Sequence, residues 1–314
     1  MQIETLKVFC DLIESRSFSQ AAIRNFITQS AVSQQIKTLE TRFGIPLLRR
    51  EGRSLSATEA GRILFDASRE ILSRFSQMQA EMRSAGQEMV GSLRVATVYS
   101  VGLYEMTRPI RIFLKTHPKV NLHIEYSPAD RVYEAVLTGA ADLGIVTYPK
   151  PRKGIQVIPL PADRLVLICP PDHPLAHRKR INISALGGLD FVTFTSGVAS
   201  REAMDQMFES HEVQVLVVME FDNIETIKRA VEIGAGVAIV PLLSVQREVE
   251  SGALAQLHFE GKEFFRPLGA IIKSGQSLTP AIQKFVELLQ SAGGGKHRRR
   301  NPDYPGPGIS QKRG

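Results

Sequence analysis

The chain has 314 residues, 43% of them hydrophobic, a length that exceeds one comfortable core and points to two or three domains. Its net charge of +7 sits at the two ends: residues 1–58 carry eight basic and five acidic side chains, residues 293–314 six and one, and the middle is near neutral. With no signal segment at "MQIETLKVF" and no apolar run of membrane length, a cytoplasmic protein without a membrane partner is expected.

Three short helical patterns fill the first 43 residues. Ile3, Leu6, Phe9 and Ile13 give the first its apolar stripe. "SFSQAAIRNF" opens the second with Ser17 as N-cap, and Ala21 and Ala22 mark a close helix crossing, the geometry of a helix-turn-helix. "TQSAVSQQIKTLE", residues 28–40, is the third, with Thr28 as N-cap and Gly44 and Pro46 as its stop. At about 100° per residue, Val32, Ile36, Leu39 and Phe43 form one stripe. Ser30, Ser33, Gln34 and Lys37 share the opposite side. Next, "IPLLRREGRSLSATEAG" places Arg49, Arg50 and Arg53 around a Gly52 turn, which reads as a small β-wing with a basic tip.

From Glu59 a long helical pattern begins. Ala60, Leu64, Ala67, Ile71, Phe75, Met78, Met82 and Ala85 are spaced by threes and fours, the seam of a coiled coil that pairs two chains. A helix packed on its own domain shows the same stripe, but no nearby pattern offers it a partner before Gly91.

After Ser92 short apolar runs alternate with helices. "LRVATV", "NLHIEYS", "DLGIV", "RLVLICP", "DFVTF", "VLVVMEF", "GVAIVP" and "LGAIIK" read as strands buried on both faces, and helices are predicted at 108–115, 131–137, 201–209, 224–232 and 280–289. This alternation predicts a doubly wound α/β body. Cys10 and Cys169, in apolar contexts, are expected to be buried free thiols. The tail "GGGKHRRRNPDYPGPGISQKRG" has no apolar period and is expected to be disordered.

Residues 17–61 carry a Ser-Phe start with an Ala-Ala pair, Thr-Gln opening the third helix, Gln-Ile and Leu-Glu within it, then Phe-Gly-Ile-Pro-Leu and Thr-Glu-Ala-Gly. This stretch resembles the DNA-binding module of the LysR-type transcriptional regulators. The likeness continues to about residue 290 through "HPLA" at 173–176 and "GAGVAIVP" at 234–241. The resemblance implies a multidomain α/β protein: a winged helix-turn-helix (1–58), a linker helix that pairs subunits (59–90) and a periplasmic-binding-protein-like effector domain (91–292). Its lobe I is expected at about 91–162 and 267–292, its lobe II at about 163–266, with the basic tail at 293–314. It also implies a homodimer assembling to a tetramer, double-stranded promoter DNA and a small-molecule effector as partners, and RNA polymerase as a further candidate. No cofactor, metal or enzymatic activity is implied.

A helix entering the major groove reads bases with uncharged side chains, since Gln pairs two-pronged with adenine and Ser bonds several base edges. Thr28, Gln29, Ser30, Ser33, Gln34 and Lys37 are therefore the expected DNA-reading set, with Arg49, Arg50 and Arg53 neutralising phosphates. Two departures matter: many relatives have proline where this chain has Ser30, and arginine where it has Gln34, so their base preference does not transfer at that position. In the body, loops at the carboxyl ends of strands suit an anionic ligand. Tyr99, Ser100, Thr195 and Ser196 are the expected effector contacts, with Asn223 and Thr226 as weaker ones. Plain N-capping is the competing role for each.

"GAG" at 234–236 precedes a strand and lacks the third glycine of a dinucleotide fingerprint, so it reads as a tight turn. His173 and His177 have ligand spacing but no supporting Cys or carboxylate pattern. Two other classes compete with the regulator. A transport receptor is disfavoured by the missing export signal, and an α/β enzyme by the absence of a nucleophile and base pattern.

Overall fold

The computed structural model describes residues 2–51, 54–84, 89–291 and 298–299. They form two compact units, Met1–Gly91 with Thr138–Ala140, and the remainder.

The first unit begins with α1 (Ile3–Ser15), α2 (Phe18–Asn25) and α3 (Gln29–Phe43). Ser17 caps α2 by accepting from the Gln20 N–H at 3.3 Å, and Thr28 caps α3 by accepting from the Ala31 N–H at 3.2 Å. Phe9, Leu12, Ala21, Val32 and Leu39 are sealed in its core. The stripe of α3 stops at Leu39: Phe43, expected to continue it, is 47% exposed. Glu40, near this end of the helix, holds the wing, its Oε1 accepting from the N–H groups of Leu47 (2.9 Å) and Leu48 (3.3 Å).

The wing pairs β1 (Leu48–Glu51) antiparallel with β2 (Ser54–Ala57). Thr58 follows, its Oγ1 donating to Pro46 O at 2.8 Å and accepting from the Gly61 N–H at 3.0 Å. That caps α4 (Glu59–Ser84). A Cβ on Gly61 would lie 2.0 Å from Leu47 O, so only glycine lets the helix start against the wing.

The seam expected along α4 is divided in two. Ala60, Leu64 and Phe65 pack on the three-helix core, and α1 supplies a partner that the sequence did not disclose. Ala67, Ile71 and Met78 remain exposed. The Met82 side chain and Ala85 lie outside the described residues.

The second unit runs through β3 (Gly91–Thr97), α5 (Tyr99–Tyr104), α6 (Thr107–Thr116), β4 (Val120–Tyr126), α7 (Ala129–Leu137), β5 (Leu143–Thr147), β6 (Ile155–Cys169), β7 (Arg180–Ile181) and β8 (Asp190–Phe194). It continues through α8 (Ala199–Ser210), β9 (Leu216–Phe221), α9 (Ile224–Glu232), β10 (Ala238–Pro241), α10 (Gln246–Glu250), β11 (Ala255–Phe259), β12 (Phe265–Lys273) and α11 (Pro280–Ser291). One sheet has the order β4-β3-β5-β12-β6. A second gathers β10, β11 and β7 around the far end of β6. The parallel pair β8-β9 is bridged to it from Phe191 to Val237.

One strand belongs to both layers. Ile155–Arg164 of β6 pairs with β12, while its last five residues pair with β10 and β11. At the switch, Phe265 faces Arg164, the Leu165 N–H donates to Phe264 O at 2.9 Å, and the register shifts between Arg266 and Leu268. The body is thus mixed: β3-β5 and β8-β9 are parallel, whereas β6 and its partners run antiparallel. Each layer has its own aromatic edge-to-face contact, Phe113 with Phe285 and Phe191 with Phe208, both with ring centroids 5.2 Å apart.

Two expectations are corrected here. β9 is not buried on both faces: Leu216, Val217, Val218 and Met219 are all exposed, because β9 is an edge strand that nothing among the described residues covers. Within the tail expected to be disordered, Arg298–Arg299 (β13) pair with Asp163 and Ala162 of β6, while residues 292–297 and 300–314 lie outside the described residues. The glycines at 234–236 form the tight turn: Gly234 has φ +85°, and a Cβ on Gly236 would strike Asp190 O at 2.4 Å. Among the described residues no helix is long and apolar enough to cross a membrane.

Candidate functional site

On α3, Gln29, Ser30, Ser33, Gln34 and Lys37 are exposed, opposite buried Val32, Ile36 and Leu39. The first turn is locally wired. Thr28 Oγ1 and Ser30 Oγ lie 2.9 Å apart, and Ser19 of α2 donates to Gln29 Oε1 at 3.2 Å. That bond engages the Gln29 carbonyl and leaves its NH₂ group free to donate. Arg49 is exposed on β1, the Arg50 side chain is not among those described, and Arg53 lies outside the described residues. The surface offers hydroxyls and amides on a helix, with cationic charge one strand away. That composition suits a grooved, acceptor-lined polyanion such as duplex DNA.

The residues expected to hold an effector fall into two groups. Tyr99 and Ser100 open α5 at the end of β3, and Tyr99 stacks on Tyr126 at the end of β4 with centroids 5.5 Å apart. Thr195 and Ser196 follow β8, and the Thr195 N–H donates to Phe221 O at 2.9 Å, so the ends of β8 and β9 sit side by side. Asn223 and Thr226 are occupied with each other: Asn223 Oδ1 accepts from the Thr226 N–H at 3.0 Å and the Thr226 hydroxyl at 2.7 Å. That is the N-capping role. Among the described residues no hydrogen bond joins Tyr99 or Ser100 to the second group. One exposed ion pair between the layers, Lys150 Nζ to Glu202 Oε2 at 2.7 Å, is of a kind worth about 0–1 kcal/mol.

What the sequence reading missed lies behind Ser100. Arg266, buried on β12, donates from Nη1 to Ser100 Oγ (2.9 Å), and from Nη2 to Asp163 Oδ2 (2.7 Å) and Glu105 Oε1 (3.0 Å). Burial works against the guanidinium charge, but Asp163 and Glu105 outweigh it and raise the arginine above its usual range. Tyr148, at φ +45° on the adjoining loop, is pushed up to about 12 by burial, with Arg266 pulling the other way. A charged residue inside the apolar run "FFRPLGAII" was the available signal. His173 Nδ1 accepts from the Leu175 N–H at 3.2 Å, and among the described residues no group of three or more His, Cys, Asp or Glu is placed to hold a metal.

Comparison with known proteins bears on both surfaces. Residues 3–62 match the family model described as a bacterial regulatory helix-turn-helix protein of the lysR family, and residues 86–294 match the LysR substrate binding domain. The chain is 30% identical over 287 residues to the HTH-type transcriptional activator CmpR of Synechocystis sp., covering 91% of this chain and 94% of that one. It is 29% identical to the RuBisCO operon transcriptional regulator of Allochromatium vinosum, covering 95% and 99%. Full-length OxyR from Pseudomonas aeruginosa superposes with TM-score 0.72 at 21% identity, covering 93% and 94%. Full-length CbnR complexed with its target DNA superposes with TM-score 0.65 at 20% identity, covering 93% and 100%.

Proposed function

Because this chain belongs to the LysR family of DNA-binding transcriptional regulators, we propose that the exposed face of α3 reads operator DNA while the wing neutralises phosphates. The observation that carries this is the segregation of α3, with Gln29, Ser30, Ser33, Gln34 and Lys37 outward and Val32, Ile36 and Leu39 sealed. Uncharged side chains supply base discrimination; Arg49, Arg50, Arg53 and Lys37 supply the salt-sensitive attraction. The test is a gel-shift titration of the full chain against genomic fragments at moderate salt. Selective retention of a few fragments is expected, and binding no tighter than to bulk competitor DNA would refute the assignment.

The effector-binding domain takes its ligand between the loops bearing Tyr99 and Ser100 and those bearing Thr195 and Ser196, with Asn223 and Thr226 behind them. Ser100 accepts from Arg266, so its own hydroxyl hydrogen is available to a ligand acceptor. This supports a small effector bearing acceptor oxygens, an anion among them. A thermal-shift screen of metabolites on the full chain identifies it, and Ser100→Ala and Thr195→Ala then weaken binding. Unchanged affinity in both variants rejects this location.

The assembly is a homodimer that pairs further to a tetramer, through α4 and through the uncovered edge strand β9. The exposed Ile71 and Met78 on α4 and the apolar row on β9 support it. A regulator of promoter DNA works in the cytoplasm, and RNA polymerase is its partner where the outcome is activation.

A further inference from the structure

A cavity of about 330 Å³ is lined by Leu103 and Tyr104 of α5, Lys228 of α9, Leu243 and Ser244, and Gln246, Arg247 and Glu248 of α10. None of the residues assigned to DNA or effector binding lines it. Its floor is built around a buried cation. Lys228 is 3% exposed, and its ammonium donates to Tyr104 Oη (2.9 Å), Ser244 O (2.8 Å) and Glu248 Oε1 (2.7 Å). Three protons are thereby spent, and Glu225 Oε1, 3.0 Å from the same nitrogen, is left without a hydrogen-bond donor. Glu248 would be raised by burial, but the hydrogen bond and charge of Lys228 outweigh that and hold it below its usual range.

What faces the cavity is therefore unequal in kind. Two of its acceptors, Glu248 Oε1 and Ser244 O, take bonds from Lys228. Donors other than that spent ammonium remain. Tyr104 Oη accepts from Lys228 and keeps its own hydrogen to give. Gln246 and Arg247 are exposed at the rim, and among the described residues neither side chain makes a hydrogen bond or ion pair. Lys228 and Arg247 offset Glu225 and Glu248 in charge, but both carboxylates lie against Lys228, which leaves Arg247 as the unengaged charge. Leu103 and Leu243 supply apolar wall, and the volume suits a small organic molecule.

We propose that this cavity is a second ligand site, for a small organic oxyanion whose acceptor oxygens meet Tyr104 Oη–H and the Arg247 guanidinium while its carbon skeleton lies on Leu103 and Leu243. The occupant touches α5, which follows the first sheet, and α9 and α10, which belong to the second layer. Occupation braces the two layers in their present arrangement, independently of the loops that carry Ser100 and Thr195.

The test is calorimetric titration of the full chain with inorganic phosphate, with a series of monocarboxylates from acetate to octanoate together with benzoate, and with the neutral amides of those acids. Saturable binding of at least one acid is expected, with its amide at least about tenfold weaker. Phosphate binding without carboxylate binding would assign the site to free phosphate rather than to an organic acid and overturn the proposal. Arg247→Gln lies on the surface and leaves the fold intact; it should weaken the acid about tenfold, and Tyr104→Phe should do likewise, while Thr195→Ala changes nothing. No binding by any acid overturns the proposal, as does binding that resists Arg247→Gln and Tyr104→Phe but is lost in Thr195→Ala.

Discussion

Arg266 Nη1 donates to Ser100 Oγ across 2.9 Å, joining residues 166 positions apart in the chain. The same guanidinium holds Asp163 on β6, so the Ser100 hydroxyl at the start of α5 is tied to the strand shared by the two layers. Removing the arginine would take a buried cation from beside Asp163 and Glu105. Arg266→Met is expected to cost about 3–5 kcal/mol by chemical denaturation, the range for breaking a buried ion pair at one partner. A change under about 1 kcal/mol would show that water reaches this cluster freely.

The face of α3 makes a sharper claim at Gln34. Glutamine matches adenine and arginine matches guanine in the major groove, so Gln34→Arg should shift the preferred base at one operator position from adenine to guanine. Selection of binding sites from random duplexes reads this directly. An unchanged profile means that Gln34 faces the backbone.

Arg49 on the wing should behave differently. Arg49→Ala is expected to weaken every sequence alike and to reduce the slope of log affinity against log salt by about 0.9, the value for one phosphate contact. Loss confined to particular sequences would instead make it a base reader.

Val218, 45% exposed in the middle of β9, bears on assembly. Val218→Asp puts a charge into the apolar row, and the oligomer seen by sedimentation should shift toward smaller species, with the monomer's melting temperature unchanged. Identical sedimentation of variant and parent would place the interface elsewhere.

The buried thiols give a pH dependence. Burial, followed by the nearby Glu14, pushes Cys10 from its ordinary 9.0 to about 12, and burial then Asp172 push Cys169 to about 11. The unfolded chain releases these protons first as pH rises, so their contribution to stability is full below 9.0 and declines above it toward the folded values. Denaturation midpoints at pH 8 and pH 10 should differ in that direction, and by less in Cys10→Ala.

The legible parts of this chain were the local ones. The caps at Ser17 and Thr28, the stripe through Leu39 and the turn at Gly234 follow from spacing and backbone chemistry within a few residues. The first half of β6 escaped notice because Pro159 and Pro161 interrupt it, and α5 because its six residues carry too little periodicity. β9 shows the limit of hydrophobic pattern: "VLVVMEF" declares that apolar surface needs covering, without saying whether the cover comes from the same chain. The cluster at Arg266 joins residues more than 100 positions apart, beyond the reach of any local window.

A strand held in common by two sheets also limits how this molecule can be taken apart. The hydrogen bonds of β6 are completed by β12 at one end and by β10 and β11 at the other, so neither layer has a full set of neighbours until both have formed. A hybrid that exchanged one lobe with a relative by cutting at Pro161 would divide β6 between two parents. To keep ladder and register intact, β6 must travel with β12, β10 and β11 together, which makes these four strands one unit for recombination.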